Sequence, residues 1–169
     1  MLPATFHLVP LTPDDREWVR ARWTSEWGDA SLLSRGRRHV PEDLSGGFVA
    51  VRKKGGERIG LLTYRLDETH AGRECEVVSL DSSREGIGVG TALLAAAREA
   101  AVAAGASRLW LITTNDNLRA LGFYQKRGFR LVAVHPGSVD EMRRQKPQIP
   151  EVGRNGIPLH DEIELEIRL

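Results

Sequence analysis

The chain has 169 residues, 41% of them hydrophobic and 28% charged, which is enough for a single globular domain with a core over residues 1–169. Lysine and arginine total 24 against 23 acidic residues, so charge gives no reason to expect nucleic acid or an acidic membrane as a partner. One cysteine, Cys75, excludes an internal disulfide and is typical of a reducing compartment. We see no signal peptide and no membrane-length apolar run, and we expect a cytoplasmic protein.

The N-terminal half predicts a strand, a helix and then antiparallel strands. "TFHLVPL" predicts the first strand, and Thr12 with Pro13 starts a helix whose core positions are Trp18, Val19 and Trp23. Residues 28–46 are polar and irregular, and we expect a loop with a short helix. Its basic cluster of Arg35, Arg37 and Arg38 is either solvated or a contact to the substrate or the cofactor tail. Two apolar runs around "KKGG" predict a hairpin, and "RECEVVSLDSS" predicts the next strand.

The C-terminal half alternates helices with strands. "TALLAAAREAAVAAGA" predicts a helix, "RLWLITT" a buried strand and "DNLRALGFYQKRG" a second helix. "FRLVAVHP" and "DEIELEIRL" predict two more strands, with a short helix at 139–146 and a punctuated loop between them. The helix buries Leu93, Leu94, Ala97 and Ala101, and the last strand turns Ile163, Leu165, Ile167 and Leu169 to the core. This order predicts a mixed α+β domain with one central sheet and helices on its faces.

Three glycines, Gly86, Gly88 and Gly90, stand where a strand gives way to a helix. The first amides of a helix lack acceptors and carry partial positive charge, so such a junction binds phosphate. A P-loop needs a lysine that is missing before Thr91, and a dinucleotide fingerprint needs its last glycine one place later. Both of those interpretations fail.

The segment "REGIGVGTALL" resembles the pyrophosphate-binding motif of the GNAT family of N-acetyltransferases, [RQ]-x-x-G-x-[GA]. Gly88 and Gly90 take its two small positions. Glu85 stands where the family has arginine or glutamine, and we expect it to point away and leave binding to backbone amides. A second segment, "NLRALGFYQKRGF", resembles the family's downstream N-x-x-A-x-x-F-Y-x-x-x-G-F pattern. It matches at Asn117, Ala120, Phe123, Tyr124, Gly128 and Phe129.

The resemblance implies a central, mostly antiparallel sheet with helices on both faces and a strand–glycine loop–helix site for acetyl-CoA. The pyrophosphate would lie on the loop amides, and the pantetheine arm would pair with the preceding strand where that strand parts from "RLWLITT". The implied cofactor-binding residues are Val78, Ser79, Leu80, Glu85, Gly86, Ile87, Gly88, Val89, Gly90, Thr91, Asn117 and Tyr124.

The chemistry implied is direct transfer of the acetyl group to a primary amine, without an acyl-enzyme. Tyr124 matches the family position that protonates the departing thiolate. Strand alternation places Glu74, Glu76, Val78 and Leu80 on one face. The resemblance implies Glu74 as a candidate base, because some members of the family carry a base glutamate there, and Glu76 lies one strand step nearer the thioester; a water relay is the alternative. Cys75 then faces the core.

Several alternatives stay open at this point. The domain either transfers the acetyl group, transfers a longer acyl group, or binds acyl-CoA without turnover as a sensor or structural partner. The acceptor is a small-molecule or protein amine, and the oligomeric state is a monomer or a homodimer. The five histidines lack ligand spacing, so we expect no metal.

Overall fold

The computed structural model describes residues 5–169, and its contacts cluster into two compact units. The first comprises residues 5–32, 39–109 and 169, and the second comprises residues 33–38 and 110–168. Residues 1–4, where a signal peptide would begin, lie outside the described residues. A single domain over 1–169 stays a prediction.

In chain order the elements are β1 (Phe6–Pro10), α1 (Arg16–Trp27), β2 (Leu32–Ser34), β3 (Arg37–His39), β4 (Gly46–Arg52), β5 (Arg58–Thr69), β6 (Gly72–Ser82), α2 (Val89–Ala103), β7 (Arg108–Thr114), α3 (Leu118–Gln125), β8 (Arg130–His135), α4 (Ser138–Gln145) and β9 (Glu162–Arg168). Short 3₁₀ turns lie at Pro13–Asp15, Pro41–Asp43 and Arg154–Gly156. The mixed α+β fold with a mostly antiparallel sheet is confirmed.

The first unit is built on antiparallel strands in the order β1-β4-β5-β6. Helix α1 follows a single 3₁₀ turn in which the backbone amide of Thr12 donates to Asp15 Oδ2 at 2.8 Å. As predicted, Val19 and Trp23 are buried, and they pack with Val49 and Leu61. Helix α1 therefore covers one face of this sheet.

Helix α2 covers the opposite face and buries the four side chains predicted for it. It approaches β5 closely at Gly60, where a Cβ atom would lie 2.6 Å from Val89 Cγ1. A side chain at Gly60 would thus displace the first turn of α2. The glycine positions the helix start, which is where the phosphate site is expected.

The prediction of a loop with a short helix over residues 28–46 is wrong in part. The structure has a small two-stranded sheet, β2 with β3, and only a 3₁₀ turn at Pro41–Asp43. Arg35 and Gly36 form the connecting turn with φ values of +49° and +74°, the left-handed conformations of a tight hairpin. Strands of three residues with polar side chains carry too little periodicity to be recognised.

A register shift in β6 corrects the predicted face of that strand. Thr63 pairs with Ser79 and Tyr64 pairs with Val77, so Val78 is an extra residue without an opposite partner on β5. A bulge of this kind reverses the alternation beyond it. Leu80 consequently lies on the α2 face, and Ser79 takes the place predicted for it beside Glu74 and Glu76.

The second unit has strands in the order β7-β9-β8, with β8 and β9 antiparallel. The predicted apolar face of β9 is wrong in part, since Leu165 is fully buried while Ile163 and Ile167 are only half-buried. The glutamates between them are also buried, and side chains of this unit pair with them. Arg35 and His135 contact Glu164, and the Arg35 amide donates to Glu162.

Candidate functional site

A row of polar side chains lies on the α1 face of β6, and we call it the β6 polar row: Glu74, Glu76, Ser79 and Asp81. Each member meets a partner from another element. Ser79 Oγ accepts from Trp23 Nε1 at 3.0 Å and lies 2.7 Å from Thr63 Oγ1. Asp81 Oδ1 accepts from Arg22 Nε at 2.8 Å. Local sequence patterns do not predict these partners, because they come from distant positions in the chain.

Glu74, the first candidate base, is held in an ion pair. Its Oε2 lies 2.9 Å from Arg108 Nη2, and both side chains are largely buried. This ion pair occupies the carboxylate of Glu74 and holds its side chain in place. The structure therefore favours a structural role for Glu74.

Glu76, the second candidate, is 2% exposed and lies beside His39. The distance from Glu76 Oε1 to His39 Nε2 is 3.5 Å, longer than a hydrogen bond. His39 ends β3, inside the segment predicted as a loop with a short helix. Sequence reasoning missed this histidine because nothing in its local pattern separates it from the other four.

Cys75 is fully buried, on the face of β6 opposite Glu74. Burial, reinforced by the nearby Glu76 and Asp67 carboxylates, raises the pKa of its thiol to about 12. The thiol is therefore protonated at neutral pH. Its burial agrees with the prediction of a core side chain.

The glycine loop joins the end of β6 to the first turn of α2. Gly86 and Gly88 have φ values of +76° and +84°, and Gly88 is the N-cap of α2. The first backbone bond inside the helix is from Ala92 N to Gly88 O, so the earlier amides, such as those of Val89 and Gly90, have no acceptor within the helix. Among residues 5–169, no atom other than those of the glycine itself and its two neighbours in the chain lies within 4 Å of a Cβ position at Gly86 or Gly88. The loop thus presents open backbone at a positive helix end, which fits a pyrophosphate.

Two charged residues flank this loop. Glu85 is exposed, which agrees with a carboxylate that need not enter the cradle. Arg84 lies 3.7 Å from Glu57, and the backbone at Arg84 is fixed by Ser82, whose Oγ donates to the Arg84 carbonyl at 2.8 Å. Ile87, at the loop tip, is 47% exposed.

Asn117 and Tyr124 belong to the second unit, at the two ends of α3. The side chain of Asn117 accepts from Ala120 N at 3.2 Å, so this residue is the N-cap of the helix and does not lie within it. Tyr124 is 9% exposed and packs edge-on against Phe123, with ring centroids 5.1 Å apart, and against Phe129. Burial raises the pKa of its phenol.

Sequence reasoning also missed the anchors of the long loop before β9. Asp116 is 5% exposed, and its Oδ2 accepts from Arg154 N at 2.7 Å. Arg143 donates to the carbonyls of Ile149, Pro150 and Leu159 at 2.8–3.0 Å. A segment predicted as irregular is thus fixed along its length by side chains of α4 and of the end of β7.

Residues 5–169 contain no group of three or more histidine, cysteine, aspartate or glutamate side chains arranged to hold a metal ion. Within the same residues, no helix has the length and hydropathy needed to span a membrane.

Comparison with known proteins gives close relatives and a common fold. Uncharacterized protein YdhI of Bacillus subtilis (strain 168) is 52% identical over 156 residues, which cover 92% of this chain and 94% of that protein. A Bacillus subtilis acetyltransferase solved in complex with CoA has a TM-score of 0.67 at 20% identity, and the match covers 97% of this chain and 99% of that chain. Arabidopsis thaliana Naa50, in complex with the bisubstrate analogue CoA-Ac-MVNAL, has a TM-score of 0.68 at 15% identity and covers 98% and 99%.

The family model described as the acetyltransferase (GNAT) family matches residues 13–129. That range contains the glycine loop and α3, the elements on which the resemblance rested, together with α1 and the β6 polar row. The chain belongs to the acetyltransferase (GNAT) family.

Proposed function

We propose that this acetyltransferase transfers the acetyl group of acetyl-CoA directly to a primary amine, in a ternary complex and without an acyl-enzyme. The observation that carries the proposal is the glycine loop, where Gly86 and Gly88 open the backbone at the N-terminus of α2. The solved relative with CoA bound supports the same donor.

On the donor side, we assign the pyrophosphate to the amides of Gly86–Thr91 and the pantetheine arm to the backbone of Val78, Ser79 and Leu80. Val78 supports this assignment because the register shift leaves it without an opposite residue on β5. A bulged residue turns its peptide groups away from the regular ladder. When bound, acetyl-CoA supplies the acetyl group as a thioester.

Tyr124 is proposed as the general acid that protonates the departing sulfur. A phenol must keep its proton until it is needed, and burial raises the pKa of Tyr124 above its ordinary value. The side chain is also held by Phe123 and Phe129, which fixes the direction of its hydroxyl. Asn117 shapes this region by capping α3.

Glu76 is proposed as the carboxylate that assists deprotonation of the amine, in preference to Glu74. An amine with an ordinary pKa near 10 is protonated at neutral pH and must lose a proton before it attacks. Glu74 is committed to Arg108 at 2.9 Å, whereas Glu76 faces an imidazole. A water relay remains the alternative to direct acceptance.

The acceptor is proposed to be a primary amine, with small molecule and protein both open. Naa50 was solved with an analogue that joins CoA to a peptide, which supports an amine acceptor in a protein of this fold. The homodimer and the cytoplasmic location stay predictions.

Calorimetric titration with acetyl-CoA, and separately with CoA, tests the donor site. We expect micromolar binding of both, followed by CoA release when a panel of primary amines is added. Binding without release by any amine would favour the sensor function, and faster release from propionyl- or succinyl-CoA would favour a longer acyl group. Absence of binding at millimolar ligand would contradict the proposal.

A further inference from the structure

We propose that His39 takes up the proton that the acceptor amine loses, with Glu76 as its charge partner. This inference rests on the proposed amine acetylation. His39 is fully buried, and neither ring nitrogen has a hydrogen-bond partner among the described residues. A buried polar nitrogen without a partner is costly to the fold, and in natural proteins it marks a functional group or a binding position.

The position of the pair supports this role. His39 Nε2 lies 3.5 Å from Glu76 Oε1, and both side chains are buried. Glu76 comes two residues before Val78, the bulged residue assigned to the donor arm. Folding therefore brings an imidazole from β3 against the strand that is proposed to hold the thioester.

Other charged side chains near His39 and Glu76 form ion pairs of their own. Arg65, opposite Glu76 on β5, lies 2.9 Å from Asp67 on its own strand and 4.0 Å from Asp43 in the 3₁₀ turn after β3. Glu74, on the same face of β6, is bound to Arg108. An added proton at His39 would face the carboxylate of Glu76, whose Oε1 lies 3.5 Å from Nε2.

The proton transfer balances without any further reactant. The N–H bond of the ammonium breaks, its electron pair stays on the amine nitrogen for attack, and a new N–H bond forms at His39 Nδ1, while Nε2 carries the other ring proton on the side of Glu76 Oε1. The resulting imidazolium faces the Glu76 carboxylate, and the two atoms can close from 3.5 Å to a charge-assisted hydrogen bond. The proton then leaves to solvent before the next turnover.

The test compares kcat/KM against pH for the wild type, His39→Gln, Glu76→Gln and the matched control His70→Gln, at an exposed histidine. Benzylamine is the basic acceptor and methoxyamine the weakly basic one, which needs no deprotonation near neutral pH. For His39→Gln with benzylamine, we expect a loss of about 10²- to 10⁴-fold and no acid limb in the pH profile. Calorimetric affinity for acetyl-CoA should be unchanged, and His70→Gln should match the wild type.

Two readouts separate a chemical role from a structural one. The loss of kcat/KM in His39→Gln should be smaller with methoxyamine than with benzylamine. Because both amines are measured on one preparation of the variant, misfolding cannot produce this difference. In the protein without ligands, ¹⁵N ring shifts of His39 should change in Glu76→Gln, and those of His70 should not. An unchanged acid limb, or equal defects with both amines, would overturn the role of His39. Failure of the wild type to release CoA with any amine would contradict the proposed function, and the inference would fall with it.

Discussion

Tyr124 illustrates how much a single side chain depends on its surroundings for its role. Its phenol is buried between Phe123 and Phe129, and burial raises its pKa, so the hydroxyl keeps its proton at neutral pH. In sequence, the residue was one aromatic in a helical pattern, and only the match to a family motif distinguished it from a core side chain.

Replacing Tyr124 by phenylalanine should lower the rate of CoA release by about 10²- to 10⁴-fold, the range for loss of a general acid. Calorimetric affinity for acetyl-CoA should stay near the wild-type value, because the ring is retained. Tyr64→Phe is the matched control, since these are the chain's 2 tyrosines, and its rate should be unchanged. Equal rates for Tyr124→Phe and wild type would remove Tyr124 from the mechanism.

The buried thiol of Cys75 gives a prediction about chemical labelling. Its thiol pKa is raised to about 12, so the reactive thiolate is scarce at every pH at which the fold is handled. Iodoacetamide at pH 8 should leave the native protein unmodified and should label Cys75 fully in guanidinium chloride, as measured by intact mass. Rapid labelling of the native protein would show that the side chain is accessible.

At the scale of elements, the glycine loop shows why a helix start can serve as a binding site. Gly88 caps α2 with φ at +84°, and Gly60 lets the first turn of the helix approach β5. The loop conformation, and not a set of side chains, is what we expect to recognise the pyrophosphate. This is why the unusual Glu85 does not argue against the site.

Gly88→Ala should lower the free energy of unfolding by about 1–2 kcal/mol, the cost of a side chain in the left-handed region. It should also weaken CoA binding by about tenfold or more, equivalent to about 1.4 kcal/mol. Gly105→Ala is the control, because Gly105 has φ at +74° beyond the other end of α2 with open space around it. Its stability should fall similarly while its affinity for CoA is unchanged. Equal affinities for the two variants would contradict the cradle.

Elements with strong periodicity or clear end signals were predictable, and local irregularities were not. Helix α2 and the β4–β5 hairpin match the predictions because their apolar spacing and glycines are local information. The extra residue in β6 at Val78 has no signature in composition, since a bulge is chosen by packing on both faces. The pairing of His39 with Glu76 and of Glu74 with Arg108 depends on contacts between distant segments.

Strand β9 shows the same limit in another form. Its alternation of glutamate with apolar residues predicts one apolar face on the core, yet Glu162, Glu164 and Glu166 are all buried as well. Arg35, His135 and Arg168 supply the positive charge that makes this burial tolerable. The pattern of one strand cannot reveal which side chains will cover it.

At the scale of the whole molecule, the exposed strand β8 bears on the oligomeric state. Strand β8 is the last in its order, and its Leu131, Val132 and Val134 are about half exposed, at 46–56%. An apolar edge strand is a ready surface for pairing with a second copy.

We predict that the wild type is a dimer by light scattering coupled to gel filtration and that Val134→Lys is a monomer. Val102→Lys, at an equally exposed apolar position on α2, should remain a dimer. A monomeric wild type, or a dimeric Val134→Lys, would exclude this edge as the interface.

The hydrogen bonds from Arg143 to the long loop before β9 have a consequence for how the sequence of that loop can vary. One guanidinium holds three main-chain carbonyls, those of Ile149, Pro150 and Leu159, and every amino acid offers a carbonyl. Point mutations along this segment therefore replace side chains and change the surface of this loop while the main chain keeps its path.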